Sequence, residues 1–220
     1  MFSGELRNME MHPRKKIILT EAARLFRAKS YEAATLRELA GRSGIKGGSV
    51  YYHFSSKQEI LFNIMSFTMS ELMFLLKEAI KNEKDVITKL RKVIETHIVY
   101  HINNLEMTYV TDSEIRSLVK ENLHFVIRMR KKYEKLFANI LDEGVREGVF
   151  HIRDTKITAF AILQMCTGVS YWYKAGGALK VDDVVAIYFK FAYAGVLGLI
   201  DDRGNGISRR GPVTEKGGSC

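Results

Sequence analysis

The stretch "GIKGGSVYYHFSSKQEILF", residues 44–62, crowds three glycines, two adjacent tyrosines, a histidine and a phenylalanine into a short space and then opens a long helix. Its downstream end carries the start signal of that helix. "SSKQE" is a capping box, with Ser56 as N-cap and Glu59 three residues on. Upstream, "RSGIKG" is a turn in which Gly44 is placed to end a helix in the left-handed conformation. The helix before that turn has Thr35 as its N-cap and Leu36, Leu39 and Ala40 along its apolar side. Two short helices joined in this way have helix-turn-helix spacing, in which the second, at about residues 47–54, enters the major groove of DNA N-terminus first. The residue types agree with that placement. Gly47 and Gly48 allow the backbone to approach a phosphate or base edge without side-chain clash. Lys46 and Ser49 are donors to phosphates or bases, and Tyr51, Tyr52 and His53 are further donors to phosphate oxygens. Lys57 lies in the first turn of the next helix, where a cation opposes the helix dipole unless it faces a phosphate. Val50 and Phe54 read as core, anchoring the short helix on the one that precedes the pair.

The composition sets the bounds. With 220 residues and 46% hydrophobic content, the chain builds one large domain or two modest ones around a real core. Two prolines only, with abundant Leu, Ile, Ala, Glu and Lys, point to an α-rich protein. Cys166 and Cys220 are far apart, so no disulfide framework is expected, and a reducing cytoplasm fits. The N-terminus lacks a signal-peptide core, no run is expected to reach membrane-spanning length, and no membrane partner is expected. The net charge of +9 is unevenly spread: residues 1–60 hold eleven Lys/Arg against six Asp/Glu, a net of +5, while residues 61–200 carry only +3. That gradient puts the polyanion-facing end at the N-terminus.

Helical periodicity runs through the chain and no strand of any length is expected. A first helix is predicted over about 14–28, with Ile17, Ile18, Ala22, Leu25 and Phe26 on one side. The helix opened by Ser56 runs to about Ile80, and the next spans about 85–103. The pattern weakens around 107–113, resumes, and continues to about Glu147. "EGVREGVFHIRDT" reads as a helix end, a short extended link and a new start at Asp154; an apolar helix then reaches Ala175, Gly176-Gly177 stop it, and a last helix covers about 182–200. The Gly- and Arg-rich tail beyond has no periodicity. The domain lines drawn on this basis are 12–56, 57–202 and a flexible tail at 203–220.

Residues 14–62, with "AARLF", "TLRELAGRSGI" and "GGSVYYHFSSKQEILF" in order, resemble the DNA-binding domain of the TetR family of bacterial repressors. The resemblance implies an all-α fold of about nine helices: a three-helix helix-turn-helix DNA-binding domain followed by a helical ligand-binding and dimerisation domain. It adds Thr35 and Arg37 as backbone contacts from the second helix to the set Lys46, Gly47, Gly48, Ser49, Tyr51, Tyr52, His53 and Lys57. The stretches "ILDEGVREGVFHIRD" and "MCTGVSYWYKAGGAL" resemble a subgroup whose members repress steroid, fatty-acid or aromatic-acid catabolism and respond to CoA thioesters. The expected function is therefore a homodimeric repressor that binds a palindromic double-stranded DNA operator and is released by a small apolar acidic metabolite such as an acyl-CoA. A drug or a free fatty acid is the alternative effector. No cofactor is expected and the chain is not expected to be an enzyme.

The effector pocket is expected between the central helices, where methionine and aromatic side chains are dense: Met69, Met73, Tyr100, Met107, Phe125, Met129, Met165 and Trp172. Arg128, Arg130, Lys131, Lys132 and Lys174 are the cations available for phosphates at its mouth. The last two helices, "ITAFAILQMCTGVSYWY" and "VVAIYFKFAYAGVLGLI", are apolar nearly all round, so a twofold copy is expected to cover them. His97 and His101, at i and i+4 on one helix face, have the spacing of zinc ligands. No carboxylate or cysteine in register completes that site, and a metal-binding helical protein is the least favoured reading.

Overall fold

The computed structural model describes residues 11–42, 48–174 and 176–198, the side chains of 48 and 49 excepted. Lys46, Gly47, the Ser49 side chain and the 203–220 tail thus lie outside the described residues. The described chain is all-helical: α1 Pro13–Lys29, α2 Leu36–Arg42, α3 Gly48–His53, α4 Lys57–Ile80, α5 Val86–Asn103, α6 Leu105–Ser113, α7 Lys120–Arg146, α8 Thr155–Thr167, α9 Val169–Trp172 and α10 Val181–Val196. A 3-10 turn, Ile115–Ser117, links α6 to α7. Counting α9 as the continuation of α8 past a bend at Gly168 gives nine helices among the described residues.

Local signals explain most boundaries. Ser56 caps α4 by accepting the Glu59 N–H at 3.1 Å. The Glu59 carboxylate reaches back one residue further than in the usual capping box, taking the N–H and hydroxyl of Ser55 at 2.7 Å each. Asp154 caps α8 by accepting the Lys156 and Ile157 amides at 2.9 and 3.0 Å. At the end of α7, Gly148 takes φ 70°, a conformation that favours glycine, and the Val149 and Phe150 amides close on the Gly144 carbonyl. The Phe150 ring then lies against Gly144 itself, and a Cβ there would stand 2.0 Å from a ring carbon.

Two hydrophobic clusters hold the helices together. The first joins α1, α2, α3 and the first half of α4, through Leu19, Phe26, Leu39, Val50, Phe54 and Ile64, to Met107 and Val110 of α6 and Val126 of α7. The second joins the rest of α4 to α5, α7, α8, α9 and α10. By length and composition α4 is apolar enough to cross a bilayer, contrary to the expectation that no run would be. Here it is shared by both clusters, as α7 is, with Ile60, Leu61, Ile64 and Met65 in one and Met69, Leu72 and Leu76 in the other.

The weak pattern at 107–113 turns out to be helical. In α6, Thr108 and Thr111 are buried, and their hydroxyls donate to the carbonyls of Asn104 and Met107 at 3.0 and 2.8 Å. Such back-bonding lets a polar residue occupy a buried helix position.

Candidate DNA interface and effector cavity

Val50 and Phe54 are fully buried, which clamps α3 onto the domain and turns its other side outward. Tyr51 is 57% exposed and Tyr52 84%, so two phenol hydroxyls project from one short helix. His53 is half-buried, its ring 5.8 Å from that of His12 at the start of α1. Burial, and then the charges of His12, Lys15 and Arg14, hold its imidazole below the usual range. The basic start of α1 therefore flanks the same face as α3. Thr35 caps α2 as expected: its hydroxyl accepts the Glu38 amide at 3.2 Å, and the Glu38 carboxylate accepts the Thr35 amide at 3.2 Å. Arg37, the second residue of α2, is exposed.

Lys57 has a different occupation from the phosphate contact expected of it. Its ammonium donates to the carbonyls of Tyr31, Glu32 and Ala34 at 2.8, 3.2 and 3.0 Å and lies 4.3 Å from the Tyr31 ring centre. It ties the start of α4 to the turn between α1 and α2.

The C-terminal helices enclose a cavity of about 380 Å³ bounded by α4, α5, α6, α7, α8 and α9. Of the eight residues expected to line an effector pocket, Met69 does so. Met73, Met129 and Met165 pack against the second hydrophobic cluster, and Met107 belongs to the first. The Tyr100 hydroxyl donates to Glu71 at 2.8 Å, Phe125 sits edge-on to Phe62, and the Trp172 indole N–H donates to the Tyr188 hydroxyl at 3.2 Å. These seven lie outside the cavity lining, which is far more polar than expected: Thr68, His97, His101, Asp112, Arg130 and Tyr133 all face it.

His97 and His101 are stacked, their ring centres 4.0 Å apart. The two nitrogens of His97 meet the hydroxyls of Tyr133 at 2.5 Å and Thr167 at 3.2 Å, while Nδ1 of His101 donates to the His97 carbonyl at 2.9 Å. Stacked rings with their nitrogens so engaged do not converge on a shared ion, and no group of three potential metal ligands occurs among the described residues. Desolvation holds both imidazoles in the neutral form, His97 well below its ordinary value and His101 at about 4. The 4.0 Å approach of His101 Nε2 to the Asp112 carboxylate is therefore not an ion pair at neutral pH. Burial pushes the Asp112 carboxyl up to about 6, although Arg130, 3.3 Å away, pulls it down. The signal that marks this site in sequence is a set of polar residues, Thr68, His97, His101, Thr108 and Thr111, at core positions of their helices.

Residues 83–196 match the family described as "Tetracyclin repressor-like, C-terminal domain", and residues 18–64 match "Bacterial regulatory proteins, tetR family". The chain belongs to the TetR family. It is a ligand-responsive DNA-binding transcriptional repressor of that family, whose members are regulators and not enzymes. Among TetR-family relatives, the HTH-type transcriptional repressor KstR2 of Rhodococcus jostii is 26% identical over 185 residues, covering 83% of this chain and 91% of that protein. The TetR-family transcriptional regulator PfmR from Thermus thermophilus has a solved structure that is similar at TM-score 0.75 and 31% identity, covering 81% of this chain and 98% of that one. The structure of AibR in complex with isovaleryl coenzyme A and operator DNA shares the fold at TM-score 0.74 and 22% identity, covering 81% of this chain and 97% of AibR.

Proposed function

We propose that the protein binds a palindromic operator as a homodimer and is released by an acyl-CoA thioester whose acyl part enters the cavity. The observation that carries this reading is the double role of α6. One face of α6 gives Thr108, Thr111 and Asp112 to the cavity, and the other gives Met107 and Val110 to the core of the DNA-binding helices. Further ties run the same way: the Tyr31 amide donates to Glu114 at 3.1 Å, and Arg27 lies over the Tyr109 ring at 5.1 Å. A ligand that shifts α6 thus shifts the platform on which α3 stands. Operator affinity then falls by the difference in the ligand's free energy of binding to the two arrangements.

Tyr51, Tyr52, His53, Thr35 and Arg37 form the described part of the DNA face, and Lys46, Gly47, Gly48 and Ser49 are assigned to DNA contact on sequence grounds; two such faces lie about 34–36 Å apart in the dimer. The dimer forms on the outer side of α8 and α10, where Ile157, Phe160, Ile187 and Phe191 are exposed together. A chromosomal operator puts the protein in the cytoplasm. The thioester is favoured by the AibR complex with isovaleryl coenzyme A. The test compares long-chain acyl-CoA, the matching free acid and CoA alone as inhibitors of operator binding. Release by the thioester alone is expected; release by the free acid, or by neither, overturns the reading.

A further inference from the structure

Three atoms of the cavity wall are incompletely matched. Asp112 Oδ1 faces the Arg130 guanidinium at 3.3 Å, but its Oδ2 is shut off from solvent and receives no hydrogen bond. His101 Nε2 stands 4.0 Å from that oxygen. Because Nδ1 of His101 donates to the His97 carbonyl and the ring is neutral, Nε2 is a bare acceptor. Thr68, 2% exposed on α4, has a hydroxyl beside that of Tyr100 but in no well-formed hydrogen bond. All three residues line the same cavity. Two acceptors facing one another with no proton between them form an arrangement that the fold alone leaves unfavourable, since a buried acceptor without a donor costs about 1–3 kcal/mol.

We propose that the effector carries a hydroxyl group on the part that enters the cavity, and that its entry opens the gap between Asp112 Oδ2 and His101 Nε2 and seats the hydroxyl there. The group that belongs there is a neutral donor. A carboxylate would meet the charge of Asp112, and an ammonium would meet Arg130 across the same carboxylate. A ketone or a plain hydrocarbon brings no proton and leaves both acceptors unmatched. The hydroxyl donates its one proton to Asp112, the charged and stronger acceptor, and His101 Nε2 is left as the acceptor for a further donor. Thr68 has a proton of its own to give to a second oxygen of the ligand. The effector is then an oxygenated acyl chain or ring, in contrast with the purely apolar occupant that methionine density suggests. A site built to bond a hydroxyl discriminates strongly against the analogue that lacks it, because its own buried polar groups go unpaired.

This inference rests on the reading of the cavity as the effector site, and calorimetric titration of matched ligand pairs separates the two. The pairs are saturated and hydroxylated acyl chains of graded length, and plain and hydroxylated rings, each as CoA thioester and as free acid. The hydroxylated member is expected to bind the parent protein about tenfold or more tightly than its partner. In Asp112→Asn the charged acceptor is replaced by a neutral amide, so the advantage is expected to shrink to about threefold or less. Equal binding within pairs in the parent means that the gap stays shut, which overturns the hydroxyl and leaves the thioester reading in place. An advantage undiminished in Asp112→Asn overturns it as well. A hydroxylated free acid that binds where no thioester does upholds the hydroxyl and removes the CoA. If no pair binds at all, both fall. The comparison in the parent needs no variant, so a folding defect in Asp112→Asn does not obscure the outcome.

Discussion

Lys57 directs its ammonium at three carbonyls of the α1–α2 turn, and this makes it a strut inside the DNA-binding domain. Hydrogen bonds to a charged group contribute about 1.5–3 kcal/mol each when well enclosed, less where water competes. Lys57→Met is expected to lower stability by about 1–2 kcal/mol while leaving the slope of log operator affinity against log salt unchanged. A slope smaller by about one would instead return Lys57 to the phosphate contacts. The same scale holds a pH effect. Burial keeps His97 and His101 neutral in the fold, so the stability they confer is present above the unfolded value of 6.5 and is lost as pH falls toward about 4 for His101. Asp112, raised from 3.8 to about 6, has the opposite sign: its contribution is present below 3.8 and is lost as pH rises through about 6. On acidification from pH 7 to 5 the parent thus gains from Asp112 part of what it loses at the histidines. Asp112→Asn lacks that offset and is expected to lose melting temperature more steeply over this range; a shallower fall would mean that Asp112 is charged more easily than its burial implies. Residue by residue, what the sequence made legible was the backbone logic. Ser56, Thr35, Asp154 and Gly148 each announce a boundary through local chemistry. The carbonyl partners of Lys57 were not legible, because they come from another helix pair, about which spacing says nothing.

Among the elements, α6 and the α7 end are the instructive cases. Periodicity detects helices by their apolar stripe, and α6 has little of one, because its cavity face is Thr108, Thr111 and Asp112. The same fact hid the pocket: a search for apolar linings picked Met73, Met129 and Met165, which fill gaps between helices, and passed over the polar side chains that enclose the cavity. At the end of α7, "EGVREGVF" reads as a stop through Gly148, but the sequence does not disclose that Gly144 is the seat of the Phe150 ring. Gly144→Ala sets a methyl 2.0 Å from that ring and must displace it. The expected cost is about 1–3 kcal/mol by chemical denaturation, with partial recovery on adding Phe150→Leu. A neutral Gly144→Ala would show that Phe150 is loosely held.

For the whole molecule, the assembly follows from what the chain leaves uncovered. Phe191 is 70% exposed and Ile157 68%, on helices whose opposite sides are core. Phe191→Glu removes no buried contact, so the variant is expected to fold, sediment as a monomer at micromolar concentration and lose cooperative operator binding. A parent that is itself monomeric would refute the interface. Coupling between cavity and DNA is the central claim, and it has a thermodynamic signature independent of any structural detail. If the effector lowers operator affinity through α6, the operator must lower effector affinity by the same factor. The decisive measurement is the dissociation constant of the releasing thioester on the free protein and on the operator-bound protein, set beside the operator's own dissociation constant with and without thioester. Equal ratios, of about 5–150-fold for a coupling of ordinary size, are what this account expects. A thioester that binds free and operator-bound protein equally well would contradict it.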